Sequence, residues 1–470
     1  MKIYNSLTRS KEEFIPLNDN TVNIYTCGVT VYDACHIGHA RSLYIFDLMR
    51  RYLEYRKYRV NFVRNITDID DKIINRSIEL GISWQELVDK YITDYRQDLD
   101  ALGIRHGTLD SDGEEPRATK NMPEIIKYIK VLIKKGHAYE AEGDVYFEVR
   151  KFPGYGKLSG QDIEKMREGV RIEPGENKKD SLDFALWKKS KEKEPSWDSP
   201  WGKGRPGWHI ECSVMSQKFL KAHTLDIHAG GRDLVFPHHE NEIAQSEAYS
   251  GKLFAKYWIH HGLLTINGHK MSKSLGNFIT IKDALKKYSL DAIKILFLQA
   301  HYSSPVDFSE EKIAQANAAL ERFRIFFDKT SRLEGKDVSG PVPDEGCKKD
   351  IDALKQGFID AMDDDFNTPQ ALGKLFEMIT VSYAGSARGH LCMRYAGKTI
   401  EELALIFNLD LRSNAEIDHD LELYIKSMID KRNACRKDKD FKSADSIRDE
   451  LRARGIIIED DKGKTLWRKL

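Results

Sequence analysis

Two cysteines, a histidine and a glutamate in this chain have the chemistry to share one metal ion. His238 and Glu242 stand four apart in Phe236-Pro237-His238-His239-Glu240-Asn241-Glu242. On a helix both project from one face, and a histidine and a carboxylate at that spacing can grip one ion. Cys212, in Trp208-His209-Ile210-Glu211-Cys212-Ser213, and Cys27 can complete a tetrahedral set. Two thiolates, an imidazole and a carboxylate suit zinc. The cysteines follow no local zinc-finger spacing. The alternative reading is a pair of buried, inert cysteines and a solvated helix face.

Two further clusters suit a polyanion. His36 and His39 stand three apart around Gly38. On one helix face their ring N–H groups can bind phosphate oxygens and follow charge developing on them, and Gly38 leaves room for a flat ring or backbone to come close. Their bland reading is two surface histidines. Far downstream, His269-Lys270-Met271-Ser272-Lys273-Ser274-Leu275-Gly276-Asn277 sets two lysines three apart among Ser and Gly. Ammonium groups there can neutralise a leaving pyrophosphate as the loop closes over it and excludes water. An exposed basic loop is the plainer alternative.

These groups need elements to hold them. Thr21 to Thr26 reads as a strand of β-branched and aromatic residues, and Leu43 to Leu53 repeats at helical spacing, giving a helix over 41–55. Residues 27–41 between them form a glycine-bearing turn, whose N–H groups and positive helix end suit a phosphate. Tyr58 to Asn65 is a second strand, ending at Thr67-Asp68-Ile69-Asp70-Asp71-Lys72. Strand, helix, strand at this spacing implies a parallel, right-handed unit with ligands at the carboxyl strand ends. A helix over 123–135 and a strand over 143–149 open an insertion. The α/β pattern resumes with helix 211–220, strand 224–229, helix 238–250 and strand 258–264. From about 311 onward the pattern is almost wholly helical.

The chain has 470 residues, with 74 Lys and Arg against 74 Asp and Glu. A net charge of zero signals no global affinity for nucleic acid, so any basic surface is local. No apolar run reaches the roughly twenty residues of a membrane span. The charged N-terminus lacks a signal-peptide core, so the expected compartment is the cytosol. Six cysteines, at 27, 35, 212, 347, 392 and 435, then read as metal-binding, catalytic or inert rather than disulfide-bonded. Cys35, Cys347, Cys392 and Cys435 receive no role.

His36-Ile37-Gly38-His39 and Lys270-Met271-Ser272-Lys273-Ser274, in that order on two halves of an interrupted α/β domain, resemble a class I aminoacyl-tRNA synthetase. Cys27-Gly28-Val29-Thr30-Val31-Tyr32-Asp33, Asn65 to Lys72, Gly207 to Cys212, Phe236 to Glu242 and Asp363-Asp364-Asp365-Phe366-Asn367-Thr368-Pro369 narrow the resemblance to the cysteinyl-tRNA synthetases, essentially end to end. The resemblance implies one zinc ion on Cys27, Cys212, His238 and Glu242, with substrate cysteine bound to it through sulfur. It puts Trp208, Thr67, His228 and Asp233 around the amino acid. It puts Gly28, Thr30, His36, Gly38, His39 and Lys273 on ATP, which carries Mg²⁺, and makes His36, His39, Lys270 and Lys273 the catalytic groups.

The implied architecture is a Rossmann-like parallel-sheet catalytic domain split by an insertion, then an all-α bundle and a small C-terminal anticodon-binding domain. Its divisions are 1–120 and 201–255 for the catalytic halves, 121–200 for the insertion, and 256–310 for a stem-contact region with the lysine loop. A helical bundle occupies 311–405 and the anticodon-binding region 406–470. The implied partners are tRNA(Cys), ATP and L-cysteine, with no membrane and a monomeric chain. Residues 421–470 carry 14 Lys or Arg against 10 Asp or Glu. Lys431, Arg432, Arg436, Lys437, Lys439 and Lys442 are expected along one helix, with Trp467 near Arg468 and Lys469, a composition suited to phosphate contact and base stacking.

Zinc as a selector would make an editing domain unnecessary, and the insertion is too short to hold one. Three rivals remain: a ligase that gives cysteine to an amino-sugar, a non-catalytic zinc-stabilised RNA-binding protein, and a small nucleotidyltransferase. The length and basic C-terminus oppose the first, the His36, His39 and Lys273 set the second, and the four-ligand cluster the third.

Overall fold

The fold is that of a computed structural model, which describes residues 1–107, 115–162, 177–272, 275–331, 345–384, 390–412, 419–454, 456–461 and 464–469. Lys273 and Ser274 lie outside the described residues. Contacts divide the chain into one unit of Met1–Asn317 with Gly340–Leu409 and a second of Ala318–Ser339 with Asp410–Leu470.

The first unit is built on a four-stranded parallel sheet. After a hairpin of β1 (Lys2–Asn5) and β2 (Ser10–Glu13) come β3 (Thr21–Thr30), α1 (Ile37–Tyr55) and β4 (Arg59–Thr67). Helices α2 (Asp71–Leu80), α3 (Trp84–Leu102) and α4 (Met122–Lys134) follow. An antiparallel sheet of β5 (Ala138–Ala141), β6 (Asp144–Phe147), β7 (Phe184–Lys189) and β8 (Gly204–Pro206) interrupts the α/β chain. It resumes with α5 (Trp208–Leu220), β9 (Leu225–Gly231), α6 (Glu240–Ser250) and β10 (Ala255–His261). The order β10-β9-β3-β4, all parallel, sets Thr30, Thr67, Gly231 and His261 at one carboxyl edge, where such sheets take ligands. Tyr25, Val63, Ile210, Ile243 and Trp258 are buried in the core beneath that edge.

A small sheet, β12-β11-β13, carries the lysine segment. Its strands are β11 (Leu264–Ile266), β12 (His269–Lys270) and β13 (Val306–Phe308), with α7 (Ile281–Lys287) and α8 (Leu290–Leu298) between the last two. Beyond them lie α9 (Glu310–Ser331), α10 (Glu345–Asp363), α11 (Thr368–Ala384) and α12 (His390–Ala404). The second unit contains α13 (His419–Lys437), α14 (Phe441–Ala453) and a closing antiparallel hairpin of β14 (Ile456–Asp461) and β15 (Lys464–Lys469). No helix among the described residues is long and apolar enough to cross a membrane.

Five expectations need correction. The first strand does not end at Thr26. After an irregularity between Thr26 and Val29 it rejoins β4 through Val29 and Thr30, so Cys27 and Gly28 lie within a strand. The helix starts at Ile37 because His36 caps it, and the turn shrinks to 31–36. The basic cluster is not on one helix. Lys439, with a left-handed φ of 62°, breaks it, and Lys442 belongs to α14. The C-terminal end is not wholly helical, since the Ile456-Ile457-Ile458 run pairs with Trp467 to Lys469, as β-branched residues favour. Finally, Cys347 on α10 and Cys392 on α12 form a disulfide. They are 45 positions apart, and only the packing of α10 beside α12 brings their Cα atoms to 6.0 Å.

Candidate active site

The site begins with a close approach of two strands. A Cβ on Gly28 would stand 1.5 Å from the Asn65 carbonyl oxygen, so only glycine lets β3 and β4 meet there. The Gly28 N–H donates instead to Asn65 Oδ1 at 2.9 Å. Such an irregularity re-aims the neighbouring side chain, and here that side chain is Cys27.

Cys27, Cys212, His238 and Glu242 offer ligand atoms that all lie within 4.8 Å of one another. Cys27 Sγ is 3.8 Å from Cys212 Sγ and 3.4 Å from Glu242 Oε1. The last three residues are buried and Cys27 is half-buried, so the cluster has one open side. His238 precedes α6, in a wide turn over Val235–His239, rather than lying on the helix. Its Nε2 still sits 3.0 Å from Glu242 Oε1 as an ion pair, yet makes no well-aligned hydrogen bond. The orientation of this nitrogen toward a point shared by several ligands explains both facts.

The electrostatics fit a cation at that point. Burial pushes the Cys27 thiol well up, and Cys212 and Glu242 push it further. Burial opposes charge on His238, but Glu242 and Cys212 raise it to about 10. Burial likewise opposes charge on Glu242, yet His228 and His238 bring it down to about 2. The cluster thus retains a proton on His238 beside a carboxylate, where a metal ion would supply the positive charge and displace protons.

A ring of outer partners orients these ligands. His228 Nε2 is 2.8 Å from Glu242 Oε2, and His209 Nδ1 is 2.9 Å from His238 Nδ1. The second contact commits one nitrogen of His238 and leaves Nε2 for the cluster, as ligating histidines require. A second set, Cys27, His228, His239 and Glu242, also lies within 4.8 Å. There His239 is tied through Nδ1 to His260 Nε2 at 2.8 Å, and His260 Nδ1 to Ser6 Oγ at 2.8 Å. The first set uses both thiols, the ligands softest toward a metal such as zinc.

Trp208, the first residue of α5 and 37% exposed, stacks on His238 with centroids 4.2 Å apart. Thr67 ends β4 and donates its hydroxyl to Glu211 Oε2 at 2.9 Å. His228 is fully buried and faces the Glu242 carboxylate. Asp233 stands in the short turn after β9. Thr30 pairs with Thr67 in the ladder, at the strand ends.

The two motif histidines form a reciprocal cap. His36 Nδ1 accepts the N–H groups of Gly38 and His39 at 3.1 and 3.3 Å, and His39 Nδ1 accepts the His36 N–H at 3.2 Å. Their rings stack at 3.7 Å. With each Nδ1 accepting, the proton sits on Nε2, which is left as a donor. Burial lowers His36 to about 4; burial, then the neighbouring His36, lowers His39 to about 3. Both are therefore neutral donors near pH 7, not cations.

The lysine segment meets this turn. Ile37 N–H donates to the Ile279 carbonyl at 3.0 Å and Ile281 N–H to the Cys35 carbonyl at 2.9 Å. Phe278 packs edge-on to His36, and the Met271 methyl lies 3.4 Å from where a Cβ on Gly38 would stand. Lys270 is exposed on β12, and its carbonyl accepts from Asn277 Nδ2 at 3.2 Å.

Residues 13–318 match the family model described as the class I (C) tRNA synthetase catalytic domain. Residues 357–382 match a DALR domain and 418–468 a cysteinyl-tRNA ligase anticodon binding domain. Cysteine–tRNA ligases of Clostridioides difficile and Bacillus cereus are 48% and 47% identical, over 100% and 99% of both chains. The chain belongs to the cysteine–tRNA ligase family. Among solved structures, a Mycobacterium tuberculosis methionyl-tRNA synthetase with methionyl-adenylate superposes at a TM-score of 0.63. It is 14% identical and covers 83% of this chain and 91% of that one. An Agrobacterium radiobacter LeuRS, from a ternary complex with tRNA and LeuAMS, reaches 0.61 at 10% identity, covering 84% of each. Both likenesses show the class I fold.

Sequence reasoning missed Asn65, His209, His239, His260 and Glu211. Each touches another candidate site residue. His209 and Glu211 flank Trp208 and Cys212 in one short motif, which was the available signal. Asn65 opens the Asn65–Lys72 motif, whereas His260 had no signal beyond lying near the end of a strand.

Proposed function

We propose that the chain activates L-cysteine with ATP, giving cysteinyl-adenylate and pyrophosphate. It then passes the cysteinyl group to the 3′-terminal ribose hydroxyl of tRNA(Cys), acting as a cytosolic monomer. The observation that carries this reading is the convergence of Cys27, Cys212, His238 and Glu242 at the carboxyl edge of the sheet, beside the exposed face of Trp208.

Cysteine and serine differ by one atom, and an apolar pocket rejects such a near-isostere only about a hundredfold. Zinc, when bound by these four side chains, holds a thiol as thiolate and leaves a hydroxyl, a far weaker acid, disfavoured. Selection at the first step then needs no editing site. Trp208 covers the amino acid, and Thr67 and Asp233 take its ammonium group. Thr67 is suited to accept there, because its proton is committed to Glu211.

In the activation step the cysteine carboxylate attacks the α-phosphorus of ATP, which arrives as its Mg²⁺ complex, and pyrophosphate leaves. Catalysis of this kind is positioning and charge stabilisation. His36 and His39 donate from Nε2 to phosphate oxygens. Lys270 and Lys273 neutralise the departing pyrophosphate. The anticodon-domain match at 418–468 favours tRNA over an amino-sugar as the acceptor.

The test is ATP–pyrophosphate exchange with cysteine and with serine, alongside metal analysis of the purified protein. Exchange with cysteine alone and about one zinc per chain are expected. Exchange with neither amino acid overturns the activity. A protein that exchanges normally without zinc overturns the selection mechanism.

A further inference from the structure

Arg41 stands two residues beyond His39 on α1 and is fully buried. Among the described residues no carboxylate acts on it, and burial lowers it only to about 10, so it is a cation near pH 7. Its guanidinium donates instead to four backbone carbonyls. Nη1 reaches Gly262 and Leu263 at 2.8 and 2.9 Å, and Nη2 reaches Tyr302 and Ser304 at 3.1 and 2.5 Å. We propose that Arg41 is a positioning residue for the activation step, holding the sheet that carries Lys270 in register with the imidazoles of His36 and His39. The proposal rests on the reading of the chain as an ATP-dependent ligase, and adds to that reading a residue that touches no substrate.

Three observations carry it. First, the four acceptors are the entry points of the small sheet. Gly262 and Leu263 lead into β11, and Tyr302 and Ser304 lead toward β13. β11 pairs with β13 on one side and β12 on the other, where Lys270 is the register partner of Thr265. One side chain therefore grips both incoming segments. Second, those segments cross closely. Gly262 N–H donates to the Tyr302 carbonyl at 2.9 Å and Val306 N–H to the Leu263 carbonyl at 3.0 Å. A Cβ on Gly262 would stand 2.3 Å from the Ser304 carbonyl oxygen. Third, the donor suits the task. A planar guanidinium fork can serve four acceptors on two segments, whereas an ammonium presents three donors at one point. Burying a cation without a carboxylate is costly, so the arrangement favours a fixed register over stability.

Arg41 gives the lysine segment a second tie to α1. Beyond the segment, Ile37 and Cys35 bond Ile279 and Ile281. Before it, Arg41 holds the start of β11. Both ties fall within residues 35–41, so Lys270 hangs between two points of the helix end that carries the imidazoles. Releasing one tie lets the ammonium drift from the phosphate-facing Nε2 atoms, and a misplacement of about 1 Å in such a site costs about 100-fold in rate. The fold has other supports here. Tyr302 donates its hydroxyl to Asp365 Oδ1 at 2.8 Å, His301 Nε2 lies 2.9 Å from the Asp365 carbonyl, and β10 stays paired with β9.

The test compares Arg41→Met and Arg41→Lys with wild type in the full-length protein, by cysteine-dependent ATP–pyrophosphate exchange and metal analysis. In Arg41→Met, kcat should fall at least about tenfold. The KM for cysteine should stay within about twofold and bound zinc should be unchanged, the signature of a loss confined to the transition state. Arg41→Lys keeps the charge without the fork, so its kcat should fall between the two. A wild-type kcat in either variant overturns the proposal. So does a loss of kcat matched by equal changes in cysteine KM and zinc content, which would make Arg41 a support of the whole site. Should Arg41→Met not fold, Arg41→Lys decides by the same criteria. Failure of the wild-type protein to exchange at all strikes instead at the activity on which the proposal stands.

Discussion

His228 Nε2 lies 2.8 Å from Glu242 Oε2, while Oε1 of the same carboxylate lies 3.4 Å from Cys27 Sγ. One oxygen is thus anchored to the sheet and the other presented to the thiols. The carboxylate cannot rotate away without breaking a buried contact.

Removing that anchor should weaken the metal and spare the fold. His228 stacks on Trp258 at 4.5 Å, so His228→Phe keeps a ring in place and deletes only the contact to Glu242. Outer-partner losses of this kind cost about 10- to 100-fold in metal affinity. Competition with a chromogenic chelator measures it. Unaltered affinity would show that Glu242 needs no support.

Cys212→Ser should cost the ion outright. The serine hydroxyl cannot ionise in a buried site, and the remaining ligands are one half-buried thiol, an imidazole and a carboxylate. We expect bound zinc to fall to near zero. The KM for cysteine should rise at least about tenfold with the KM for ATP little changed, a loss of binding confined to one substrate. Equal changes in both KM values would mean a general collapse of the site.

Acid should destabilise the protein through the His36–His39 cap. Both groups have folded pKa values below the ordinary 6.5, at about 4 and about 3. The unfolded chain therefore binds more protons between those values and 6.5. Stability is full above 6.5 and is lost as pH falls, at up to about 2.7 kcal/mol per pH unit for the pair. Urea unfolding at pH 7.5 and 5.5 checks this. A His36→Asn, His39→Asn double variant should show a shallower decline. A decline as steep as that of wild type would place the sensitive groups elsewhere.

Within the second unit, basic residues divide into structural and available ones. Arg432 is buried and bonds both oxygens of Asp460, at 2.9 and 2.8 Å, whereas Lys431 is exposed. Arg432→Ala should lower the stability of this unit by about 1.5–3 kcal/mol, the range for hydrogen bonds to charged groups. Lys431→Ala should leave its melting unchanged and weaken tRNA binding in a salt-dependent way. Scanning calorimetry and filter binding, run on both variants, should give opposite rankings.

The chemistry-bearing words were legible because each is short and local. His36 with His39, the lysine segment and the His238–Glu242 pair all announce themselves by spacing, and the alternating strands place them at one sheet edge. The break at Cys27 was not legible. A strand that bulges and resumes has the same residue types as one that stops, and only the Gly28–Asn65 approach distinguishes them. His209, His228, His239 and His260 form their contacts across elements far apart in sequence, so no periodicity could pair them. Likewise the Cys347–Cys392 bond reflects how two helices pack. The Ile456 run is not set apart in the sequence from the helices before it, because its pairing partner lies downstream.

Paired backbone bonds rivet residues 35–37 to residues 279–281. The imidazole turn and the far end of the lysine segment are thus one mechanical piece. Any swing of Lys270 would pivot on the near side of Phe278 and leave the rings of His36 and His39 in place. On the proposed function, a nucleotide would meet one fixed jaw and one moving jaw, hinged on the same bolt.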